Sequence, residues 1–158
     1  VIASYSKHHL PNYSVFDEYR NFVPGQDVGV FELFGIKFAL AICEDIWQSG
    51  GPVAQLKQNQ TDVALVLNGS PFEVDKQERR DQLVSNLATQ HNTAVAYVNL
   101  VGGQDDLVFD GASLVANANG EIVARGKAFE QDLVLALLEC CVYAPIDTTH
   151  NRHCYSRP

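Results

Sequence analysis

Two apolar runs, residues 28–33 and 36–42, flank Phe34-Gly35 and predict a hairpin whose second strand is buried and ends at Cys43. Residues 63–67 form an unbroken β-branched and aliphatic run, the pattern of a strand buried on both faces, closed by Asn68-Gly69-Ser70-Pro71. Val53 and Leu56 mark a short helix between these runs. From Asp75 to His91, Leu83, Val84, Leu87 and Ala88 recur at helical spacing among charged residues, which predicts a helix with one core face. Residues 93–100 and 112–116 return to strand character, split by a predicted loop at 102–106, and Asn119-Gly120 is a hairpin signal before Ile122-Val123. The first five residues are a β-prone run leading to Lys7, followed by a polar, aromatic-rich loop through Pro11, Asn12 and Pro24-Gly25. Alternating strands and helices predict an α/β layered domain. Residues 139–158 break the rhythm with neither periodicity.

Composition narrows the class. Of 158 residues, 46% are hydrophobic and 19% charged, enough for one globular domain with a sizeable core. A net charge of -8 without a dense basic patch opposes attraction to phosphate, so nucleic acid is not an expected partner. No apolar run approaches the roughly 20 residues of a membrane-spanning helix, and the N-terminus has no signal-peptide pattern, so a cytoplasmic protein without a membrane partner is expected. Cysteines at 43, 140, 141 and 154 are not an evenly spaced disulfide framework and suit a reducing compartment. The chain starts at Val1, contains no Met, and opens on residues that read like the inside of a strand; a fragment is expected.

Cys43 closes an apolar strand and hands its thiol to Glu44-Asp45-Ile46-Trp47. A thiol at a strand-to-helix turn gains thiolate character from nearby free N–H groups and has an oxyanion donor in the next backbone N–H. A buried structural cysteine fits the same pattern. Lys7 and Glu18, taken singly, read equally well as solvated residues. His8 and His9 are adjacent and would point apart in a strand, which argues against a shared metal. Cys140, Cys141, His150, His153 and Cys154 match no common zinc spacing, so no metal site is expected.

Taken together, residues 7–25, 38–47, 67–72 and 98–105 with 109–113 resemble, in order, the motifs of the carbon–nitrogen hydrolase (nitrilase) superfamily. They are most similar to the glutaminase domains of glutamine-dependent NAD⁺ synthetases. The resemblance spans about residues 1–135 and implies a four-layer α-β-β-α sandwich, N-terminally incomplete here, over 1–138, with a tail unlike the family at 139–158. It implies a Glu–Lys–Cys site with Cys43 as nucleophile and Lys7 as catalytic lysine. Glu18 matches the family's second carboxylate, which supports the lysine, and the triad glutamate belongs upstream of Val1, so the chain alone is expected to be inactive. Tyr13, Phe16, Glu44, Ser70 and Lys76 fall on the substrate-selecting positions, and Asp45 and Trp47 on the turn beneath them. Lys76 also fits a solvated residue in the first helical turn. By the same resemblance the substrate is L-glutamine, and the domain itself needs no cofactor. ATP and deamido-NAD⁺ would bind a synthetase domain outside this chain, and the parent would be a homo-oligomer. A stand-alone nitrilase-type amidase and an inactive scaffold or subunit are the competing readings.

Overall fold

The hairpin foreseen around Phe34-Gly35 opens the sheet in the computed structural model, which describes residues 1–139. β1 (Gly29–Leu33) and β2 (Ile36–Ile42) pair antiparallel with Phe31 opposite Phe38. Phe34 and Gly35 both take positive φ, 54° and 78°, the conformation of a two-residue type I′ turn that matches strand twist. β3 (Val63–Asn68) and β4 (Ala94–Asn99) continue the sheet in parallel, and β7 (Leu114–Ala116) and β8 (Ile122–Arg125) close it antiparallel, in the order β1-β2-β3-β4-β7-β8. The crossover from β3 to β4 is α1 (Lys76–His91), the only α-helix among the described residues.

Alternation along the strands sorts side chains into two faces. Rows Ala39–Ala64–Val95–Ala116 and Ala41–Val66–Tyr97–Leu114 lie across neighbouring strands and are all buried, packed with Val84, Leu87 and Ala88 of α1. Burying an aliphatic side chain of this size contributes about 1.5–3 kcal/mol, so this layer holds the helix to the sheet. The opposite face is also apolar, with rows Leu40–Leu65–Ala96–Val115 and Ile42–Leu67–Val98. Leu67 and Val98 remain 54% and 57% exposed there, so among the described residues this face has no covering layer. One helical layer and one main sheet are therefore seen of the four layers expected.

Three local expectations change. Residues 1–5 form no regular element and pair with no strand among the described residues, so their β propensity is not realised as a sheet. The predicted loop at 102–106 lies within a second hairpin, β5 (Val101–Gln104) against β6 (Leu107–Asp110), turning at Asp105-Asp106. Val53 and Leu56 bracket a 3-10 turn, Val53–Gln55, rather than an α-helix. The parallel strands β2, β3 and β4 run side by side with Ile42 opposite Leu67 and Asn68 opposite Asn99. Their carboxyl ends thus share one sheet edge, the edge where α/β proteins place ligands, and Cys43 follows immediately.

Candidate active site

Cys43 leaves β2 at a positive φ of 47° and begins a one-turn 3-10 helix, Cys43–Ile46. A non-glycine residue in that region carries strain of order 1–3 kcal/mol, a cost that clusters at working sites. Cys43 is the free cysteine among the described residues and is half-buried. Burial pushes its thiol up, the Lys7 charge opposes this most, Glu44 and Glu18 push up further, and Lys76 pulls down. The net direction is upward, which corrects the expected thiolate character. A single 3-10 turn is a poor substitute for a helix N-terminus, and burial wins.

Lys7 comes from the strandless stretch of residues 1–27, whose one regular element is the 3-10 helix Glu18–Arg20 that carries its partner. Its Nζ donates to both carboxylate oxygens of Glu18, at 2.7 and 2.8 Å, with the lysine side chain 14% exposed. The loop is pinned behind it: the Gly25 N–H donates to the Lys7 carbonyl at 2.8 Å, and His8 Nδ1 meets the Gly25 carbonyl at 2.7 Å. Gly25 is needed, because a Cβ there would lie 2.2 Å from the Ser6 carbonyl oxygen. His8 and His9, not being in a strand, do not point apart; their rings meet edge to face with centroids 4.6 Å apart.

Glu44 is buried and accepts from Tyr13 Oη at 2.9 and 3.0 Å and from Gln48 Nε2 at 2.9 Å. Desolvation and then this carboxylate push the Tyr13 hydroxyl up to about 12, so it stays a donor at neutral pH. Phe16 packs edge to face on Tyr13, with ring centroids 6.0 Å apart. Lys76 Nζ donates to Glu73 at 2.6 Å, and Arg79 to the other oxygen at 2.8 Å, so Glu44 and Lys76 are held by separate partners rather than by each other. Ser70 is buried against a network that the sequence did not suggest. Arg80, wholly buried, donates to both oxygens of Asp110 at 2.9 and 2.7 Å, to the Ser70 and Pro71 carbonyls, and to Ser70 Oγ at 3.3 Å. Asn99 completes it, accepting from the Ser70 N–H at 2.9 Å.

Asp45 was expected beneath the turn and is there, fully buried, receiving bonds from the lysine loop as well as from the turn. A separate groove of about 540 Å³ opens on the uncovered sheet face between Leu67, Val98, Leu100, Lys127 and Asp132. None of Lys7, Tyr13, Phe16, Glu18, Cys43, Glu44, Ser70 and Lys76 lines it, although Asn99 of the Ser70 network does. Cys140, Cys141, His150, His153 and Cys154 lie outside the described residues.

A cysteine at a strand end of a mixed α/β sheet, with the charge of a carboxylate-held lysine bearing on its thiol, defines a class that sequence comparison identifies. The chain belongs to the carbon–nitrogen hydrolase family, whose profile matches residues 1–143. It is 49% identical over 133 residues to a glutamine-dependent NAD(+) synthetase of Acinetobacter baylyi, covering 84% of this chain and 24% of that protein. The corresponding synthetase of Aquifex aeolicus is 45% identical over 139 residues, covering 88% and 24%. Among solved structures, the glutamine-dependent NAD⁺ synthetase from Acinetobacter baumannii in complex with ADP superposes with a TM-score of 0.79 at 51% identity, covering 82% of this chain and 25% of that one. An amidase from Nesterenkonia sp. AN1 superposes with a TM-score of 0.73 at 25% identity, covering 86% and 52%. The fold is that of the nitrilase superfamily, a truncated α-β-β-α sandwich over the described residues. The chain spans about a quarter of the length of the curated relatives it matches. Among the described residues no helix is long and apolar enough to cross a membrane.

Proposed function

We propose that this chain is the cysteine- and lysine-bearing part of a glutaminase that supplies ammonia to an NAD⁺-forming synthetase domain of the same parent protein. The observation that carries this reading is the Lys7–Glu18 pair, whose charges bear on the Cys43 thiol at the carboxyl end of β2. The chain is more similar to the synthetases, at 49% and 45% identity, than to the Nesterenkonia amidase at 25%, which favours glutamine over a free amide substrate. A glutamate-to-glutamine mutant of that amidase carries the product of Michael addition of acrylamide at its own active-site cysteine, a precedent for reading Cys43 as the nucleophile.

In the proposed reaction a general base takes the Cys43 proton and the sulfur attacks the side-chain carboxamide carbon of L-glutamine. The oxygen that gains charge is met by the Lys7 ammonium and the backbone N–H of Glu44. The C–N bond then breaks, ammonia leaves with a proton from the same acid–base group, and water hydrolyses the thioester to glutamate. A raised thiol makes that base necessary. Glu18 is occupied by Lys7 and Glu44 by Tyr13 and Gln48, so we assign the base to a glutamate of the parent protein that is not among residues 1–158 and expect this chain alone to turn over poorly.

Glu44 and Lys76 are assigned to the α-ammonium and α-carboxylate of glutamine, with Tyr13 and Phe16 as the aromatic wall and Ser70 behind it. Cofactor chemistry belongs to the synthetase domain, which would use ATP and deamido-NAD⁺. In the full-length parent, Cys43→Ala should abolish glutamine-driven NAD⁺ formation while synthesis from added ammonia persists. Equal loss with both nitrogen sources would contradict this.

A further inference from the structure

Asp45 has no exposed surface, yet its carboxylate collects four hydrogen bonds from two stretches of chain. Oδ1 accepts from the backbone N–H of His8 at 3.1 Å and of His9 at 2.8 Å. Oδ2 accepts from Tyr5 Oη at 2.7 Å and from the backbone N–H of Ile42 at 2.9 Å. His8 directly follows Lys7, and Ile42 directly precedes Cys43. A single side chain therefore grips the backbone beside both reacting groups, Oδ1 holding the lysine loop alone and Oδ2 shared between Tyr5 of that stretch and the residue before Cys43. We propose that Asp45 is a positioning residue that sets the placement of the Lys7 ammonium relative to the Cys43 thiol. This rests on the reading of Lys7 and Cys43 as the reacting pair.

The loop that carries Lys7 has no sheet or α-helix of its own to hold it; residues 1–17 are irregular. Its backbone order near Lys7 comes from Asp45 on one side and from Gly25 on the other. Misplacement of a catalytic group by about 1 Å can cost on the order of a hundredfold in rate, so this tether has functional weight. An asparagine at position 45 has one acceptor oxygen and one NH₂. Whichever way it turns, the NH₂ meets either the His8 and His9 N–H groups or the Ile42 N–H, and one of the two tethers is lost. Tyr5→Phe deletes one donor and leaves the three backbone bonds in place.

The test is the pH dependence of iodoacetamide alkylation at Cys43, read by peptide mass spectrometry on the intact chain and its Asp45→Asn, Asp45→Glu, Tyr5→Phe and Lys7→Met variants. The charged groups bearing on that thiol are Lys7, Lys76, Glu44 and Glu18, with the Tyr13 hydroxyl on Glu44. Losing a nearby opposite charge should move the Lys7→Met midpoint up by about one pH unit or more. Asp45→Asn should move it up by at least half as much, Tyr5→Phe should leave it in place, and Lys7→Met combined with Asp45→Asn should match Lys7→Met alone. A midpoint unmoved by Asp45→Asn while Lys7→Met shifts it overturns the role of Asp45. A midpoint unmoved by Lys7→Met overturns the reacting pair itself, and with it this inference. Should Asp45→Asn fail to fold by circular dichroism, Asp45→Glu carries the test. It keeps the charge on an arm longer by one methylene, and an unshifted midpoint there also overturns the proposal.

Discussion

The Lys7 ammonium sits 2.7 and 2.8 Å from the two carboxylate oxygens of Glu18, so the cation beside Cys43 arrives already paired. Glu18 therefore has two opposed effects: it fixes Lys7, and its negative charge pushes the Cys43 thiol up. Glu18→Gln removes the charge but keeps an acceptor for Lys7. The expected result is a lower pH midpoint for Cys43 alkylation together with lower glutaminase turnover in the parent, because the less tightly held lysine no longer meets the developing oxyanion. An upward midpoint would contradict this account of the electrostatics.

Lys76, its side chain only 13% exposed, pairs with the exposed Glu73 and holds that carboxyl below its usual range, with Arg79 adding to the effect. If Lys76 takes the α-carboxylate of glutamine, Lys76→Ala removes a charge-assisted bond of about 1.5–3 kcal/mol and should raise KM roughly ten- to a hundredfold with a smaller change in kcat. Glu73→Gln releases Lys76 from a competitor. Because Glu73 itself is exposed, solvent screening holds the pair to about 0–1 kcal/mol, and KM should fall by no more than roughly fivefold. Steady-state kinetics on the parent decides, and a higher KM in Glu73→Gln would contradict the competition.

Arg80 and Asp110 are a buried ion pair joining α1 to the ends of β3 and β6. Arg80→Met leaves a buried carboxylate without its partner and should cost about 3–5 kcal/mol by urea denaturation. Adding Asp110→Leu should recover a large part of that loss, since no orphaned charge remains. Strictly additive losses would show that the two residues do not act as a pair.

His91 lies in the last turn of α1, where the helix dipole favours a cation, but burial first and Lys57 second pull its pKa below 6.5. The folded state thus prefers neutral imidazole. As pH falls below about 6.5 the unfolded chain takes up the proton first, and stability declines until the folded pKa is reached; above that window His91 contributes no slope. His91→Gln should shrink the drop in Tm between pH 7.5 and 5.5 relative to the parent sequence. An unchanged drop would assign the acid sensitivity to the carboxylates.

The strand ends and the helix were legible because periodicity reports burial directly: the Cys43 turn, residues 63–67 and the stripe through Val84, Leu87 and Ala88 all follow it. Arg80 sits on that same stripe, four positions before Val84, and is wholly buried. It was not singled out from the sequence, although its helical phase pointed inward. The hairpin of residues 101–110 was hidden by Gly102, Gly103 and the acidic turn, whose loop-like types here adopt ladder geometry. The first five residues were misread in the other direction, since β propensity becomes a strand only where a neighbour offers a ladder. Lys7 and Glu18, eleven positions apart, share no periodicity; family resemblance, rather than spacing, brought them together with Cys43. The hub role of Asp45 depends on bonds across 36 to 40 positions and had no local signal.

The most direct test of the glutaminase reading is covalent capture by a chloroketone analogue of glutamine, with peptide mass spectrometry locating the adduct in the full-length parent. The account expects one adduct, on Cys43, suppressed by excess L-glutamine and slowed at least about tenfold in Lys7→Met, the rate equivalent of about 1.4 kcal/mol of lost oxyanion stabilisation. Labelling mainly at Cys140, Cys141 or Cys154, or Cys43 labelling indifferent to both glutamine and Lys7, would contradict it.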